Sequence, residues 1–425
     1  MRTDNGYIRR EAAVTTVGII AEYNPLHNGH VHHFTEAKRL SGAEHAIVVM
    51  SGPFTQRGEP AAVSKQARTE MALRMGADLV IELPVAYAVQ PAEWFAFGAV
   101  ALLEATGVVD SLCFGSEAGT LGSLLPLARY LAEESSELQS EIRRRMALGA
   151  SFPAAYSAAA AVAFEGTLHE EESPGDAGEL LRQPNNSLGL HYLIALRRLN
   201  SKIEPLTVPR TAAGFHDPLQ VGSSIASATA IRKLLHEGGS PAAYMPEYSV
   251  TILEREHAAG RGPLELEHFR GPLRHLLSTR NAAELRTIQD MNEGLENRIL
   301  RLMPDLEQFS ISGLLQALKS KRYTHTRLQR LLLHILLNHT KEEMTPSVLA
   351  EGPGYIRILG FRESGRALLK EMKLTATLPI VIRPSLCSHP QLDRDLQAAS
   401  AFAGAFREPH RTDMYRDYLE PPVMV

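Results

Sequence analysis

The sequence predicts an α/β fold: a doubly wound parallel sheet followed by a mostly helical region. Three observations predict it. Short β-rich apolar runs alternate with helix-length segments through the first part of the chain. Beyond about Ala242 the apolar positions take on helical periodicity. The 425 residues exceed what one ordinary core serves, so more than one domain is expected, with residues 14–240 as the first and 241–425 as the second.

Taken in order, Val14 to Ala21 is a continuous apolar run fit for a buried parallel strand, and Asn24-Pro25 breaks it into a turn. Val31, Phe34, Ala37 and Leu40 then recur every three residues, predicting a helix from Gly29 through Leu40. Ala46 to Met50, Asp78 to Leu83 and Val108 to Phe114 read as strands, with helices Ser64 to Met75 and Pro91 to Thr106 between them. Between Glu165 and Glu179 the composition turns acidic and turn-rich, as in an exposed loop. Asn185-Asn186 can cap a helix running to Arg198, and Ile203 to Val208 is a further strand leading to Arg210. Leu328, Leu331, Leu332, Ile335 and Leu336 form the stripe of a buried helix. Strands at Tyr355 to Leu359 and Leu378 to Ile382, with helix Glu363 to Met372 between, suggest a small αβ element.

Composition narrows the function classes. A formal net charge of -4 argues against a globally basic nucleic-acid binder, so any RNA contact must come from a local patch. Cys113 and Cys387 lie far apart, which points to free thiols in a reducing cytosol and not to a disulfide frame or a zinc site. No apolar stretch reaches the ~20 residues needed to cross a bilayer. The leader Met1 to Ala13 carries Arg9 and Arg10 but lacks a signal-peptide cleavage region. Neither G-x-x-x-x-G-K-[ST] nor G-x-G-x-x-G occurs, so P-loop and NAD-type readings lose their usual support.

Chemistry concentrates at Glu22-Tyr23-Asn24-Pro25-Leu26-His27-Asn28-Gly29-His30, which delivers two imidazoles one helical turn apart at the mouth of a strand. The free N–H groups of the following first helical turn sit beside them and attract phosphate. Two other readings stand beside this one. His27, His30, His32 and His33 have the spacing of a metal cluster, although no carboxylate or cysteine accompanies them at ligand spacing. Alternatively the histidines, His32 and His33 above all, merely cap and pack a helix. Ligands of open α/β sheets bind outside the carboxyl ends of strands, where His27 and Gly115-Ser116-Glu117 both fall. Gly115 would let a base or ribose approach the backbone closely, or it is a plain turn glycine. Further on, Lys319, Lys321, Arg322, Arg327 and Arg330 cluster around Tyr323, suited to phosphate neutralisation with a base stacked on the ring; a solvated charged face is the plainer alternative.

His27-Asn28-Gly29-His30 resembles the H-x-G-H signature of the HIGH nucleotidyltransferase superfamily. Ser223-Ser224-Ile225-Ala226-Ser227-Ala228-Thr229-Ala230-Ile231-Arg232 resembles its Ser/Thr-rich segment. There Ser227 or Thr229 can cap the next helix and offer hydroxyls to phosphates, while Arg232 supplies a fixed charge. The whole chain resembles one family of that superfamily, the bacterial tRNA(Met) cytidine acetate ligases. The resemblance runs through Glu22 to Pro25, Met50 to Pro60, Ala77 to Pro84, Phe114 to Glu117, Pro184 to Asn186 and Lys319 to Arg327. Departures are Leu26 where the family more usually has Phe, Pro53 where Asn is common, and Ser64 where an acid often precedes Lys65.

The resemblance implies a Rossmann-like domain that takes ATP as substrate, with His27 and His30 catalytic. The implied ATP pocket comprises Ile20, Ala21, Glu22, Tyr23, Asn24, Pro25, Leu26, His27, Asn28, Gly29, His30, His33, Gly115, Asn185, Asn186, Arg210, Ser227, Thr229 and Arg232. The implied RNA contacts are Lys319, Lys321, Arg322, Tyr323, Arg327 and Arg330 in the helical region. Acetate would be activated as acetyl-adenylate and transferred to N4 of the wobble cytidine of elongator tRNA(Met). Mg²⁺ would bridge the leaving phosphates, with no protein-held metal and no membrane partner. A small-molecule adenylyltransferase shares H-x-G-H but needs no basic helical appendage, and a non-catalytic RNA-binding protein would not need the intact histidines. The sequence carries no signal for an oligomeric state.

Overall fold

The computed structural model describes residues 15–165, 177–210 and 224–425. The leader, most of the acidic stretch after Glu165, and Ser223 therefore lie outside the described residues. Eight strands form one sheet: β1 (Thr16–Ala21), β2 (His45–Ser51), β3 (Leu79–Leu83), β4 (Ser111–Ser116), β5 (Glu204–Pro209), β6 (Ile356–Phe361), β7 (Ile380–Val381) and β8 (Val423–Met424). The order is β5-β4-β1-β2-β3-β6-β7, with β8 also paired to β6.

The first five strands are parallel, as the apolar runs predict, whereas β6 runs antiparallel to β3. The late αβ element is thus not a separate subdomain. It extends the first sheet at its β3 edge, and β7 and β8 pair in parallel with β6.

Strand composition explains the burial. Ile47, Val49 and Ile81 face one core, packed by helices Ala92–Thr106 and Pro184–Arg198. Val17, Ile19, Val48 and Val80 face a second, packed by helices Asn28–Ser41 and Lys65–Met75. Both faces of β2 are fully buried, which is why the run is continuous and not alternating. Each such aliphatic side chain contributes about 1.5–3 kcal/mol by leaving water. Helix Asn28–Ser41 buries Phe34 and Ala37 but leaves Leu40 exposed, so the inward stripe is shorter than the periodicity suggests. A third, helical core gathers Phe269, Leu273, Leu331, Leu332 and Phe402, and Phe54 from the loop after β2 inserts into it.

The chain leaves β1 towards β2 and β3 on one side and later returns to build β4 and β5 on the other. That reversal between β1 and β4 opens a crevice at the carboxyl ends of the strands.

Candidate functional site

A cavity of about 530 Å³ occupies this crevice. Ile20, Ala21, Glu22, Tyr23 and Asn24 line it from the end of β1, and Gly115 and Arg210 from the ends of β4 and β5. His27, Gly29, His30 and His33 contribute from the start of the next helix, and Ser227, Thr229 and Arg232 from helix Ala228–His236. Most of the residues expected to form a nucleotide pocket are therefore gathered around one cavity, although they span most of the described chain up to residue 232.

The two signature histidines cap the helix and line the cavity at once. His27 is the N-cap, its Nδ1 accepting from Gly29 N–H at 3.1 Å, while His30 Nδ1 accepts from the His27 N–H at 3.2 Å. Their rings lie against each other, tilted by 34°, with centroids 3.8 Å apart. Burial, with Arg210 and Arg232 nearby, depresses His27 to about 3, and burial beside His27, Arg210 and His33 holds His30 well below the usual imidazole range. His33, lowered to about 4 by burial and Arg210, presents an Nε2 that is buried without a hydrogen-bond partner. An added Cβ at Gly29 would meet the His27 ring at 2.9 Å, so the glycine is what lets that ring fold back over the helix start.

Four expected pocket residues stand behind the wall. Leu26 is fully buried in the core, and Pro25 too is buried. Asn28 donates to the carbonyls of Ser224 and Ala243, clamping the helix start to the segment that carries Ser227. Asn186 is buried, accepting from Ala118 N–H. Of the two asparagines only Asn185 lines the cavity, accepting from Arg210 Nη1 at 3.1 Å. Neither caps its helix. Gln183 holds the N-cap position, and the Glu117 carboxylate, arriving from the loop after β4, accepts from the N–H groups of both Asn185 and Asn186.

Ser227 is an N-cap, accepting from Ala230 N–H, and still lines the cavity. Arg232 is a tethered cation: it donates to the Asn24 carbonyl and pairs with Glu59 at 2.8 Å. Glu59 belongs to the loop after β2, whose Thr55, Gln56 and Arg57 also line the cavity. The resemblance covers this loop but implies no pocket residue in it; its lining side chains are polar, and no spacing marks them. Phe95 and Tyr192, also on the wall, carry no sequence signal beyond their helical register.

The basic segment is divided. Lys319, Lys321 and Arg322 are exposed. Tyr323 is 7% exposed, its hydroxyl donating to Glu293 at 2.9 Å while Arg327 covers its ring at 5.0 Å. The open stacking platform expected at Tyr323 is not what the fold builds, because the ring anchors the helical core. Arg330 is likewise buried, its Nε 4.0 Å from Asp290. Between them Thr326, in the first turn of helix His325–Leu337, lines the cavity itself. Among the described residues no group of three or more His, Cys, Asp or Glu is arranged to hold a metal, and no helix is long and apolar enough to cross a membrane.

The family model for HIGH Nucleotidyl Transferase matches residues 14–416. The tRNA(Met) cytidine acetate ligase of Bacillus velezensis is 41% identical over 400 residues, covering 93% of this chain and 94% of that protein. That of Caldanaerobacter subterraneus subsp. tengcongensis is 39% identical, covering 92% and 95%. The crystal structure of Thermotoga maritima TmcAL bound with alpha-thio ATP superposes with a TM-score of 0.87 at 37% identity, covering 97% of this chain and 99% of that one.

Proposed function

The chain belongs to the HIGH nucleotidyltransferase family and, within it, to the tRNA(Met) cytidine acetate ligases; from that premise we propose that it activates acetate with ATP and acetylates N4 of the wobble cytidine of elongator tRNA(Met). The observation that carries this reading is one cavity lined both by the histidine pair with Arg210 and Arg232 and by Thr326, at the start of the basic helix. A small-molecule adenylyltransferase has no use for a basic helix at its cavity wall.

In the first step an acetate oxygen attacks the α-phosphorus of ATP and pyrophosphate departs. Charge grows on the phosphate oxygens, and donors already fixed in place stabilise it without reorganising. The neutral imidazoles of His27 and His30 suit that task as dipoles, with the guanidinium groups of Arg210 and of the Glu59-paired Arg232 as charged donors beside them. In the second step the cytidine amine, a weak nucleophile, attacks the acetyl carbonyl and releases AMP, which demands close positioning. The exposed Lys319, Lys321 and Arg322 are the RNA contacts of this reading, with Arg327 beside them, while Tyr323 and Arg330 support the segment from beneath.

The cavity's carboxylates test the place of Mg²⁺. Glu22 accepts from Gln56 N–H at 2.7 Å and Glu59 is paired with Arg232, so the donor set fits an ion held by the nucleotide's phosphates and water, not by a protein cage. When bound, Mg²⁺ would neutralise the leaving phosphates.

Pyrophosphate exchange into ATP tests the reading. Exchange should require acetate and should not be supported by pantetheine or nicotinamide phosphates, and mass spectrometry of tRNA(Met) nucleosides should find N4-acetylcytidine. Folded protein that binds ATP but gives no acetate-dependent exchange would refute the ligase assignment.

A further inference from the structure

The acceptor amine must lose a proton as it is acylated, and the cavity holds a group placed for it. Glu22 is the first residue beyond β1 and lines the cavity together with the histidine pair and the loop Thr55 to Glu59. Its carboxylate is held by Gln56 N–H at 2.7 Å, and its main-chain carbonyl accepts from Arg68 at 2.7 Å. A carboxylate only accepts hydrogen bonds and repels phosphate, so Glu22 is ill suited to the triphosphate and well suited to an exocyclic amine; carboxylates accept from cytosine N4 in the same way. The loop that holds it also touches the basic helix. Gly58 packs so closely there that an added Cβ would lie 2.3 Å from the Arg330 nitrogen. Thr326 of that helix lines the same cavity as Glu22, so a base held against the helix start has this carboxylate within the same enclosure.

We propose that the Glu22 carboxylate is the general base of acyl transfer, a role that rests on the acetate-ligase reading above. The N4 lone pair forms the C–N bond to the acetyl carbon, the bond from that carbon to the phosphate oxygen breaks, AMP leaves with the electron pair, and the N4 proton passes to Glu22. Burial raises the Glu22 proton affinity against the lowering influence of the Gln56 hydrogen bond and Arg57. That moves it towards the range in which a base works at neutral pH. The charged and titratable groups facing it are Arg57 and Glu59 of the loop, Arg232, Arg68 and Tyr192.

The test separates the two half-reactions. Glu22→Gln keeps an acceptor for Gln56 N–H but not the basicity. Relative to its acetate-dependent exchange, its single-turnover transfer from acetyl-adenylate to tRNA(Met) should fall by about 10²–10⁴-fold. Wild-type transfer should rise with pH to a plateau, Glu22→Gln should lack the rise, and Glu22→Asp should keep it at a lower rate. Equal losses in exchange and transfer, an unchanged pH profile in Glu22→Gln, or recovery of both activities at high Mg²⁺ would overturn the assignment, the last by making Glu22 a metal ligand. A wild type with no acetate-dependent exchange would overturn the underlying reading instead.

Discussion

A neutral imidazole that accepts a hydrogen bond at Nδ1 must carry its proton on Nε2. His27 and His30 both accept backbone N–H groups at Nδ1, so the cap geometry that starts the helix also decides which nitrogen donates into the cavity. The same burial that depresses their basicity keeps them neutral through the physiological range. Imidazole ¹⁵N chemical shifts of the ligand-free protein should therefore report the Nε2–H form for both rings, with no titration of His27 between pH 8 and 5. A midpoint near 6.5 would show that the pair works as cations. Removing a fixed donor of this kind costs about 10²–10³-fold in rate. His30→Ala should lower acetate-dependent exchange by that factor or more, since it also strands the His27 N–H.

At the scale of elements, the loop after β2 joins the cavity at the strand ends to the helical core. Thr55 and Glu59 close it through two hydrogen bonds, Gln56 ties it to Glu22, and Gly58, at φ 80°, lies against the backbone of helix His325–Leu337. Gly58→Ala adds left-handed strain of about 1–2 kcal/mol and a clash with immovable backbone worth about 1–3 more. Denaturant unfolding should show that loss, and acyl transfer should suffer more than exchange, because the same loop holds the Glu22 carboxylate through Gln56 N–H. The basic residues divide in the same way. Arg322→Ala should weaken tRNA binding and reduce the slope of log affinity against log salt by about 1, whereas Arg330→Ala should act first on stability. A similar salt slope in Arg322→Ala and wild type would exclude it as a phosphate contact. These elements also mark what was legible in the sequence. Strands β1 to β5 and the helices around the first three of them are local apolar patterns and could be read directly, as could the histidine pair, since its spacing is one helical turn; the helices Leu124–Ala132, Ser136–Ala147 and Phe152–Glu165 between β4 and β5 are not among the expected elements. Burial of Tyr323 and Arg330, the capping role of Glu117 and the antiparallel docking of β6 on β3 depend on partners 30 to 280 residues away, which no local pattern encodes.

Across the whole molecule the cores are tied together by buried polar groups. Lys65 Nζ lies 2.7 Å from both Glu82 and Asp417, linking helix Lys65–Met75 and β3 to the last turns of the chain. His334 and His339, both fully buried, face each other at 3.2 Å beneath the basic segment, with Asp290 3.9 Å from His334. Burial and Arg330 depress His334 to about 3, and burial beside His334 holds His339 well below the usual range. The sign of the pH effect follows. An unfolded histidine takes up its proton near pH 6.5 and the folded one does not, so on acidification the unfolded state binds more protons and stability falls as the pH falls. For His334 the contribution is complete above about pH 6.5 and is lost progressively down to about pH 3, at up to about 1.4 kcal/mol per pH unit. Glu82, whose proton affinity burial raises, works in the opposite sense on acidification, so total stability mixes the two. The difference between wild type and His334→Gln isolates the histidine. Unfolding free energies measured from pH 7.5 to 4 should fall more steeply in wild type than in His334→Gln, with the two curves parallel above pH 7. Parallel curves across the whole range would mean that His334 titrates alike in both states and that the buried pair is not what limits this protein in acid.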